Sequence, residues 1–349
     1  MQSFGELMQE WLYGKEGYYR KVRVGKARDF YTSVSVSAFF GYCIGHFFSQ
    51  KITQCQKVNP ASKIAIVEIG AERGNLIADI AFYLEKQAIP KLNYHIIEPL
   101  EELHLIQAQT FKERLKEQNP SPSFEISSDF QSLKAYDIIF FVANELLDAF
   151  ACELYFHNEM AYIKDSKLEF YPATPQVIEI AKDLNLTIGE IPLQAQSFAK
   201  SLSGCAKKWL FLTFDYGSIE PRGEFSLRFY RNHQTQNLFD NPTSKDCQND
   251  FLNGFGKWDI TYDVVFSLWD RIFSSQKAQC AFLHRQNRAL VDMGLDKVGE
   301  WYINCFGIDN FMQESSKIRT LISPSLLGER FFGACWESLD FKGMLCENS

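Results

Sequence analysis

The chain has 349 residues, of which 46% are hydrophobic and 23% are charged, and its formal net charge is -7. This composition is typical of a folded globular protein and excludes an intrinsically disordered one. The acidic balance also gives no electrostatic reason to expect a nucleic-acid partner or an anionic membrane surface.

The cysteines, histidines and N-terminus exclude further classes of protein. The nine cysteines are scattered without a C-x-x-C pair, and no two histidines have the spacing of metal ligands. This pattern suits a reducing compartment and predicts neither a disulfide framework nor a metal site. Residues 1–14 contain Glu6 and Glu10 and do not resemble a targeting peptide, and the longest apolar run, 138–143, is too short to span a bilayer. We therefore expect a soluble cytoplasmic protein without membrane insertion.

Residues 1–60 predict an N-terminal helical cap. Apolar side chains recur at three- and four-residue intervals between Phe39 and Phe48, which places them on one face of a helix. The segment before it has no clean period, and Thr32 or Ser33 is placed to cap the helix that follows.

Strands and helices alternate between residues 63 and 142. The predicted strands cover 64–69, 94–98, 124–126 and 136–142, and the predicted helices cover 75–86 and 103–116. Because the strands are apolar on both faces, they predict a parallel sheet covered on both sides. The fold class is therefore α/β, with a Rossmann-like domain over residues 61–217.

The alternation stops after Asp148. Residues 153–170 predict antiparallel strands joined by turns at 157–159 and 165–167, as part of a β insertion at about 149–207. A buried strand at 209–214 returns to the sheet, and residues 218–349 form a C-terminal α+β extension.

A glycine turn follows the first strand of the sheet. Glu68, Gly70 and Gly74 fit the acid-x-Gly-x-Gly-x-Gly turn of methyltransferases, in which the acid reaches the amino group of the methionine moiety. Glu72 stands where the middle glycine is usual. The dinucleotide fingerprint G-x-G-x-x-G is absent, which disfavours a nicotinamide-dependent oxidoreductase. An ordinary strand–helix turn explains the motif equally well.

Two further acids follow the second and third strands. Glu98 can accept hydrogen bonds from both hydroxyls of a ribose, and Asp129 can accept one from an adenine amino group. Taken singly, Glu98 is equally a solvated carboxylate at a strand end and Asp129 an ordinary helix cap. Acids after three successive strands together favour an adenosylmethionine site.

The segment after the fourth strand contains Asn144, Glu145 and Asp148. If a helix begins there, Glu145 and Asp148 share one of its faces. Two carboxylates beside an amide oxygen suit a cationic planar group such as guanidinium, and one of them could take up a proton. The alternative interpretation is a helix N-terminus, where acids are favoured by the helix dipole.

Short blocks in the right order resemble the MidA-like family of class I S-adenosylmethionine-dependent methyltransferases. They are Gly17-Tyr18-Tyr19, Asp29-Phe30-Tyr31-Thr32-Ser33, Phe40-Gly41, Val67-Glu68-Ile69-Gly70 with Gly74, Ala143-Asn144-Glu145 with Asp148-Ala149, Asp215-Tyr216-Gly217, Ser226 to His233, and Asp259 to Val264.

The resemblance implies S-adenosyl-L-methionine as cofactor, with Thr32 and Ser33 near it and Asn144 and Glu145 bordering the methyl-transfer site. It also implies a protein substrate, an arginine in a subunit of a respiratory complex I type. Glu72 departs from the family's glycine turn, and Val34 and Ser35 replace its usual proline and glutamate. These departures leave open a non-catalytic assembly or binding protein with weakened cofactor binding.

Overall fold

The computed structural model describes residues 1–21, 32–87, 89, 92–231, 234–247 and 250–346. The blocks Asp29-Phe30-Tyr31 and Asn232-His233 of the family resemblance lie outside the described residues. The strands in chain order are β1 Gln2–Ser3, β2 Ile64–Ile69, β3 Leu92–Ile97, β4 Ser123–Ser127, β5 Ile138–Asn144, β6 Glu153–Phe156, β7 Glu159–Lys164, β8 Lys167–Pro172, β9 Ile188–Ile191, β10 Lys208–Ser218, β11 Arg228–Arg231, β12 Gln234–Asn237, β13 Asp259–Thr261, β14 Val264–Val265, β15 Ala278–Arg285 and β16 Phe331–Ser338. The α-helices are α1 Phe4–Tyr13, α2 Ser33–Val36, α3 Phe39–Val58, α4 Asn75–Lys86, α5 Glu101–Arg114, α6 Pro175–Asp183, α7 Ala195–Ser203, α8 Phe266–Ser275, α9 Gln286–Asp292, α10 Leu295–Phe306, α11 Ile308–Ile322 and α12 Leu339–Cys346.

The chain divides into two compact units whose segments alternate along the sequence. The larger unit comprises Tyr31–Leu146, Ala199–Asp215 and Phe273–Ser349. The smaller unit comprises Met1–Phe30, Leu147–Phe198 and Tyr216–Ile272.

The larger unit contains the predicted sheet. Its strands lie in the order β15-β16-β10-β5-β2-β3-β4. The run from β10 to β4 is parallel throughout, whereas β15 and β16 pair antiparallel. Every residue of β2 is buried, as expected for an apolar strand inside a sheet that is covered on both faces. The predicted α/β alternation is confirmed.

The helices of the larger unit follow the apolar periods of the sequence. The helix predicted at 75–86 is α4, which buries Leu76, Ile77, Ile80 and Leu84 on one side. The structure differs from the prediction in which helix Thr32 caps. Thr32 caps the short helix α2 rather than the long α3, because its side chain accepts the Ser35 N–H in a capping box.

The smaller unit contains two antiparallel sheets. One has the strand order β1-β7-β6-β9 with β8 beside β7, and the other has the order β12-β11-β13. The predicted hairpins at 157–159 and 165–167 are confirmed, since β6–β7 and β7–β8 pair antiparallel. Their turn residues His157, Asn158, Asp165 and Ser166 all have positive φ, which two-residue hairpin turns require.

The core of the smaller unit is aromatic. Trp11 of α1 is fully buried and stacks on Phe229 and Phe251, with ring centroids 5.4 and 6.3 Å apart. The Trp11 indole N–H donates to the carbonyl oxygen of Trp258 at 2.8 Å, so its polar atom is satisfied inside the core. Part of the aromatic content of the chain is therefore buried in the core of the smaller unit.

The described residues contain neither a membrane-spanning helix nor a cluster of metal ligands. No helix in that part of the chain is both long and apolar enough to cross a bilayer. Nor does it bring three or more His, Cys, Asp or Glu side chains together as metal ligands.

Candidate functional site

The candidate site lies at the carboxyl ends of β2, β3 and β5 in the larger unit. The chain order reverses at β2, which has β3 on one side and β5 on the other. Such a switch point leaves a crevice outside the strand ends, where open α/β sheets bind ligands. The predicted residues Glu68, Gly70, Glu98 and Asn144 all lie on or directly after these three strands.

The turn between β2 and α4 has a backbone that glycine suits. Gly70 has φ +69° and Gly74 has φ +79°. A Cβ at Gly70 would lie 3.0 Å from Leu146 Cδ1, and one at Gly74 would lie 3.3 Å from Gln107 Cα. The two glycines therefore permit both the left-handed conformation and the close approach of neighbouring chain. Gly74 is the N-cap of α4, whose first N–H groups are directed toward this turn.

Glu68 anchors the turn to the helix that follows. The residue is 3% exposed, and its Oε2 accepts the Ile77 N–H at 2.9 Å. This bond satisfies one of the N–H groups at the start of α4, where a carboxylate is also favoured by the helix dipole. The contact gives Glu68 a structural role, and its predicted contact with a methionine amino group stays a prediction.

Glu98 is not the solvated strand-end carboxylate that one interpretation allowed. It is 5% exposed, accepts the Leu100 N–H at 3.1 Å through Oε1 and the Gln107 Nε2–H at 3.1 Å through Oε2. Burial raises the pKa of Glu98, and the hydrogen bonds from Leu100 and Gln107 lower it. The carboxylate is thus held in one orientation at the end of β3.

Asp129 makes a local contact with the backbone that follows it. Its side chain is exposed and accepts the Gln131 N–H at 2.8 Å, at the start of the 3-10 helix Gln131–Ala135. Such a contact is a local Asx turn, and the N-cap of this 3-10 helix is Phe130. A contact with an adenine amino group remains a prediction.

Thr32 and Ser33 have partners within the larger unit. Thr32 is the cap already described, and Ser33 is fully buried with its hydroxyl donating to Gln286 Oε1 at 2.8 Å. Gln286 in turn donates to the carbonyl oxygen of Leu321. The implied position of the two hydroxyls near a cofactor stays a prediction.

Asn144 is the last residue of β5, and Glu145 directly after it has a strained backbone. Glu145 has φ +51°, and its N–H donates to the Phe214 carbonyl oxygen at 2.9 Å. The next N–H, of Leu146, donates to Asp215 Oδ2 at 3.2 Å. A non-glycine residue in this conformation costs of order 1–3 kcal/mol and persists only where its surroundings fix it. The two hydrogen bonds to β10 fix it here.

The side chains of this pair are directed toward each other. Asn144 Nδ2 donates to Glu145 Oε1 at 3.0 Å. Asn144 Oδ1 is buried and has no hydrogen-bond partner among the residues that the structure describes. A buried acceptor without a donor costs about 1–3 kcal/mol, so such atoms are rare unless a ligand or water supplies one.

The condition for a shared face, a helix beginning at Glu145, is not met. The left-handed Glu145 interrupts the backbone, and only a 3-10 helix, Leu147–Ala149, follows. Glu145 and Asp148 therefore do not share a helix face. Asp148 belongs to the smaller unit, whereas Asn144 and Glu145 belong to the larger.

Asp148 is held firmly within the smaller unit. The hydroxyls of Tyr13 and Tyr262 donate to carbonyl oxygens of its 3-10 turn at 3.0 and 3.1 Å. Burial raises the pKa of Asp148 to about 7, while the positive charge of Arg228 lowers it and the negative charge of Asp263 raises it. A carboxyl group with such a pKa can exchange a proton near neutral pH.

Two residues of the site were missed in the sequence. Gln107 is fully buried on α5 and bonded to Glu98, and Asp215 at β10 is fully buried and bonded to Leu146. A signal for Gln107 existed, because it lies midway between Leu103 and Phe111 on one side of its helix. Asp215 follows the apolar run 209–214 within β10, much as Glu98 follows β3, and the same pattern would have found it.

The comparisons with known proteins agree with this geometry. Residues 43–283 match the family described as "putative S-adenosyl-L-methionine-dependent methyltransferase". No curated protein sequence matches the chain. A Burkholderia thailandensis protein crystallised with S-adenosyl-homocysteine is 19% identical, with a TM-score of 0.75 over 96% of this chain and 87% of that chain. A native structure of an uncharacterized protein from the same organism is 19% identical, with a TM-score of 0.71 over 97% and 89% of the two chains. The predicted class I methyltransferase fold is confirmed.

Proposed function

Since the chain belongs to this family of S-adenosyl-L-methionine-dependent methyltransferases, we propose that it transfers a methyl group to a guanidinium nitrogen of a protein arginine. The family's cofactor is S-adenosyl-L-methionine, which when bound supplies an electrophilic methyl group on a sulfonium sulfur. The proposed substrate protein is a subunit of a respiratory complex I type, as the MidA-like resemblance implies.

The residues at the switch point fit this cofactor. Its carboxylate suits the N–H groups at the start of α4, where Gly70 and Gly74 leave room for a close approach. Its ribose hydroxyls suit the oriented carboxylate of Glu98. Its positive charges suit a site that contains the buried carboxylates of Glu68 and Glu98.

The observation that carries the choice of arginine is the pair Asn144 and Glu145. A guanidinium has five N–H donors in a plane and no acceptor, so it needs several oxygens arranged around it. An amide oxygen without a donor and a carboxylate on the next residue supply such oxygens. We propose that they orient the nucleophilic nitrogen and that Glu145 takes up the proton it loses when the new C–N bond forms.

A second candidate function is a non-catalytic assembly or binding protein on the same fold. Glu72 favours this non-catalytic function. Its backbone has φ +48°, and its charged side chain belongs to the turn that would approach the cofactor. The two candidates differ in whether cofactor binding leads to a methylated product.

The test uses isotopically labelled S-adenosyl-L-methionine and a protein extract from cells that lack this protein, with mass spectrometry of the products. We expect labelled methyl groups on arginine with the parent protein. Glu145→Gln retains size but removes the charge, so its rate should fall roughly ten- to a thousandfold, the range from one lost charge-assisted contact to loss of a general base.

The matched control is Glu113→Gln, because the Glu113 side chain is exposed on α5 and 74% accessible. Its rate should equal that of the parent. Affinity for S-adenosyl-homocysteine should be unchanged in both variants. If Glu145→Gln methylated at the parental rate, or if label appeared only on residues other than arginine, the proposed arginine site would be wrong.

A further inference from the structure

Gln107 joins the two turns of the candidate site. Its Nε2 donates to the carbonyl oxygen of Glu72 in the glycine turn at 3.0 Å and to Glu98 Oε2 at 3.1 Å. The residue is fully buried, on the face of α5 that packs beside Gly74. One amide group therefore bridges the turn after β2 and the carboxylate after β3.

The orientation of this amide is determined by its two partners. Both the Glu72 carbonyl and the Glu98 carboxylate can only accept, so the nitrogen rather than the oxygen must be directed at them. As a result Gln107 Oε1 is left buried without a hydrogen-bond partner among the described residues. The unsatisfied acceptor is a cost that the two donated bonds must outweigh.

A hydrophobic residue would avoid this cost at the same position. Leu103 and Phe111, one helical turn away on either side of Gln107, are apolar, whereas His104 and Thr110 also border it on α5. A buried amide with an unsatisfied oxygen therefore stands between two apolar neighbours along the helix. The feature that distinguishes Gln107 from such a side chain is its pair of N–H donors.

We propose that Gln107 is a positioning residue of the cofactor site, which aims the Glu98 carboxylate at the ribose and fixes the glycine turn relative to it. This inference rests on the proposed function, because it deepens the assignment of the same site. Gln107 acts through Glu98 and the Glu72 carbonyl. Replacing Gln107 should therefore weaken the binding of ligands that carry the ribose hydroxyls. Replacing a residue that merely packs the core should weaken the binding of all ligands alike.

The test compares two probes, S-adenosyl-homocysteine and its 2′-deoxy analogue, by calorimetric titration of the full chain. Gln107→Met has a similar length and no donor, and we expect it to lower affinity for S-adenosyl-homocysteine about tenfold, as for one lost hydrogen bond to a charged group. Its effect on the deoxy analogue should be less than about threefold, because that ligand lacks the hydroxyl that Glu98 is aimed at.

A double-mutant cycle separates positioning from packing. In a Glu98→Gln background, Gln107→Met should change affinity little, because its effect passes through Glu98. Gln109→Met is the matched control, since Gln109 is exposed on the same helix, and it should leave both affinities unchanged. In turnover, Gln107→Met should raise KM for the cofactor and leave kcat within about threefold, the pattern of lost uniform binding.

Three outcomes would overturn the inference. Unchanged affinity in Gln107→Met would show that the bridge does not matter. Equal losses for both probes, or an equal loss in the Glu98→Gln background, would show a general packing role. Failure of the parent protein to bind S-adenosyl-homocysteine would overturn the cofactor assignment as well, and so distinguishes failure of the proposed function from failure of this inference alone.

Discussion

Replacing Glu72 by glycine should stabilise the protein and leave cofactor binding at least as strong. Glu72 has φ +48° between two glycines that also have positive φ. Its carbonyl oxygen accepts the hydrogen bond from Gln107, and this bond does not depend on the side chain. The perturbation therefore relieves the conformational strain and removes the side-chain charge.

The magnitude follows from the backbone. A left-handed conformation costs a non-glycine residue about 1–2 kcal/mol. Glycine relieves this cost but adds about 0.4–1 kcal/mol of entropy to the unfolded chain. The net expectation is a gain in the free energy of unfolding of about 0.5–1 kcal/mol, which in a chain of this size raises Tm by about 1 °C.

The assay combines denaturant unfolding with calorimetric titration of S-adenosyl-homocysteine. Glu72→Gln is the matched control, since it removes the charge and keeps the strained backbone. If backbone strain decides stability, only Glu72→Gly gains free energy of unfolding. If the charge weakens binding of the ligand's carboxylate, both variants bind more tightly than the parent. A Glu72→Gly variant that is less stable than Glu72→Gln, or that binds more weakly than the parent, would refute this reasoning and show that the side chain contacts the ligand or the fold.

The remaining predictions concern two buried acids. Glu98→Ala should weaken binding of S-adenosyl-homocysteine about ten- to a hundredfold by titration, the loss expected for a charge-assisted hydrogen bond, and unchanged affinity would remove Glu98 from the site. Burial raises the pKa of Asp148 to about 7, above the value of about 3.9 in an unfolded chain. Between about pH 4 and pH 7 the folded state keeps a proton on Asp148 that the unfolded state has lost. The contribution of this proton to stability is fully present below about pH 4 and is lost as the pH rises through about 7. Asp148→Asn cannot ionise, so in urea unfolding it should be more stable relative to the parent at pH 8 than at pH 5, and identical pH slopes would contradict the assigned environment.

Local patterns in the sequence predicted the elements whose residues agree with the surrounding fold. The run from Ile64 to Lys86 shows this, because an apolar strand, a glycine turn and an amphipathic helix each have a distinct period. The hairpin turns at Asn158 and Asp165 were recognisable for a similar reason, since few residue types tolerate positive φ.

The failures occur where tertiary contacts decide the backbone. Glu145 and Asp148 would share a face only if a helix began there, but hydrogen bonds to β10 hold Glu145 in a left-handed conformation that no local preference indicates. Gln107 was missed because its partners, Glu98 and Glu72, are distant along the chain. The alternation of the two units was equally hidden, since it depends on contacts between segments far apart in sequence.

The assignment of the switch point as an S-adenosyl-L-methionine site is tested most directly by calorimetric titration. The purified chain is titrated with S-adenosyl-homocysteine, with NAD as the comparison ligand. A switch point built from Gly70, Gly74 and Glu98 predicts one-to-one binding of S-adenosyl-homocysteine and no binding of NAD, because the dinucleotide fingerprint is absent. Binding of NAD in place of S-adenosyl-homocysteine, or binding of neither, would contradict the account.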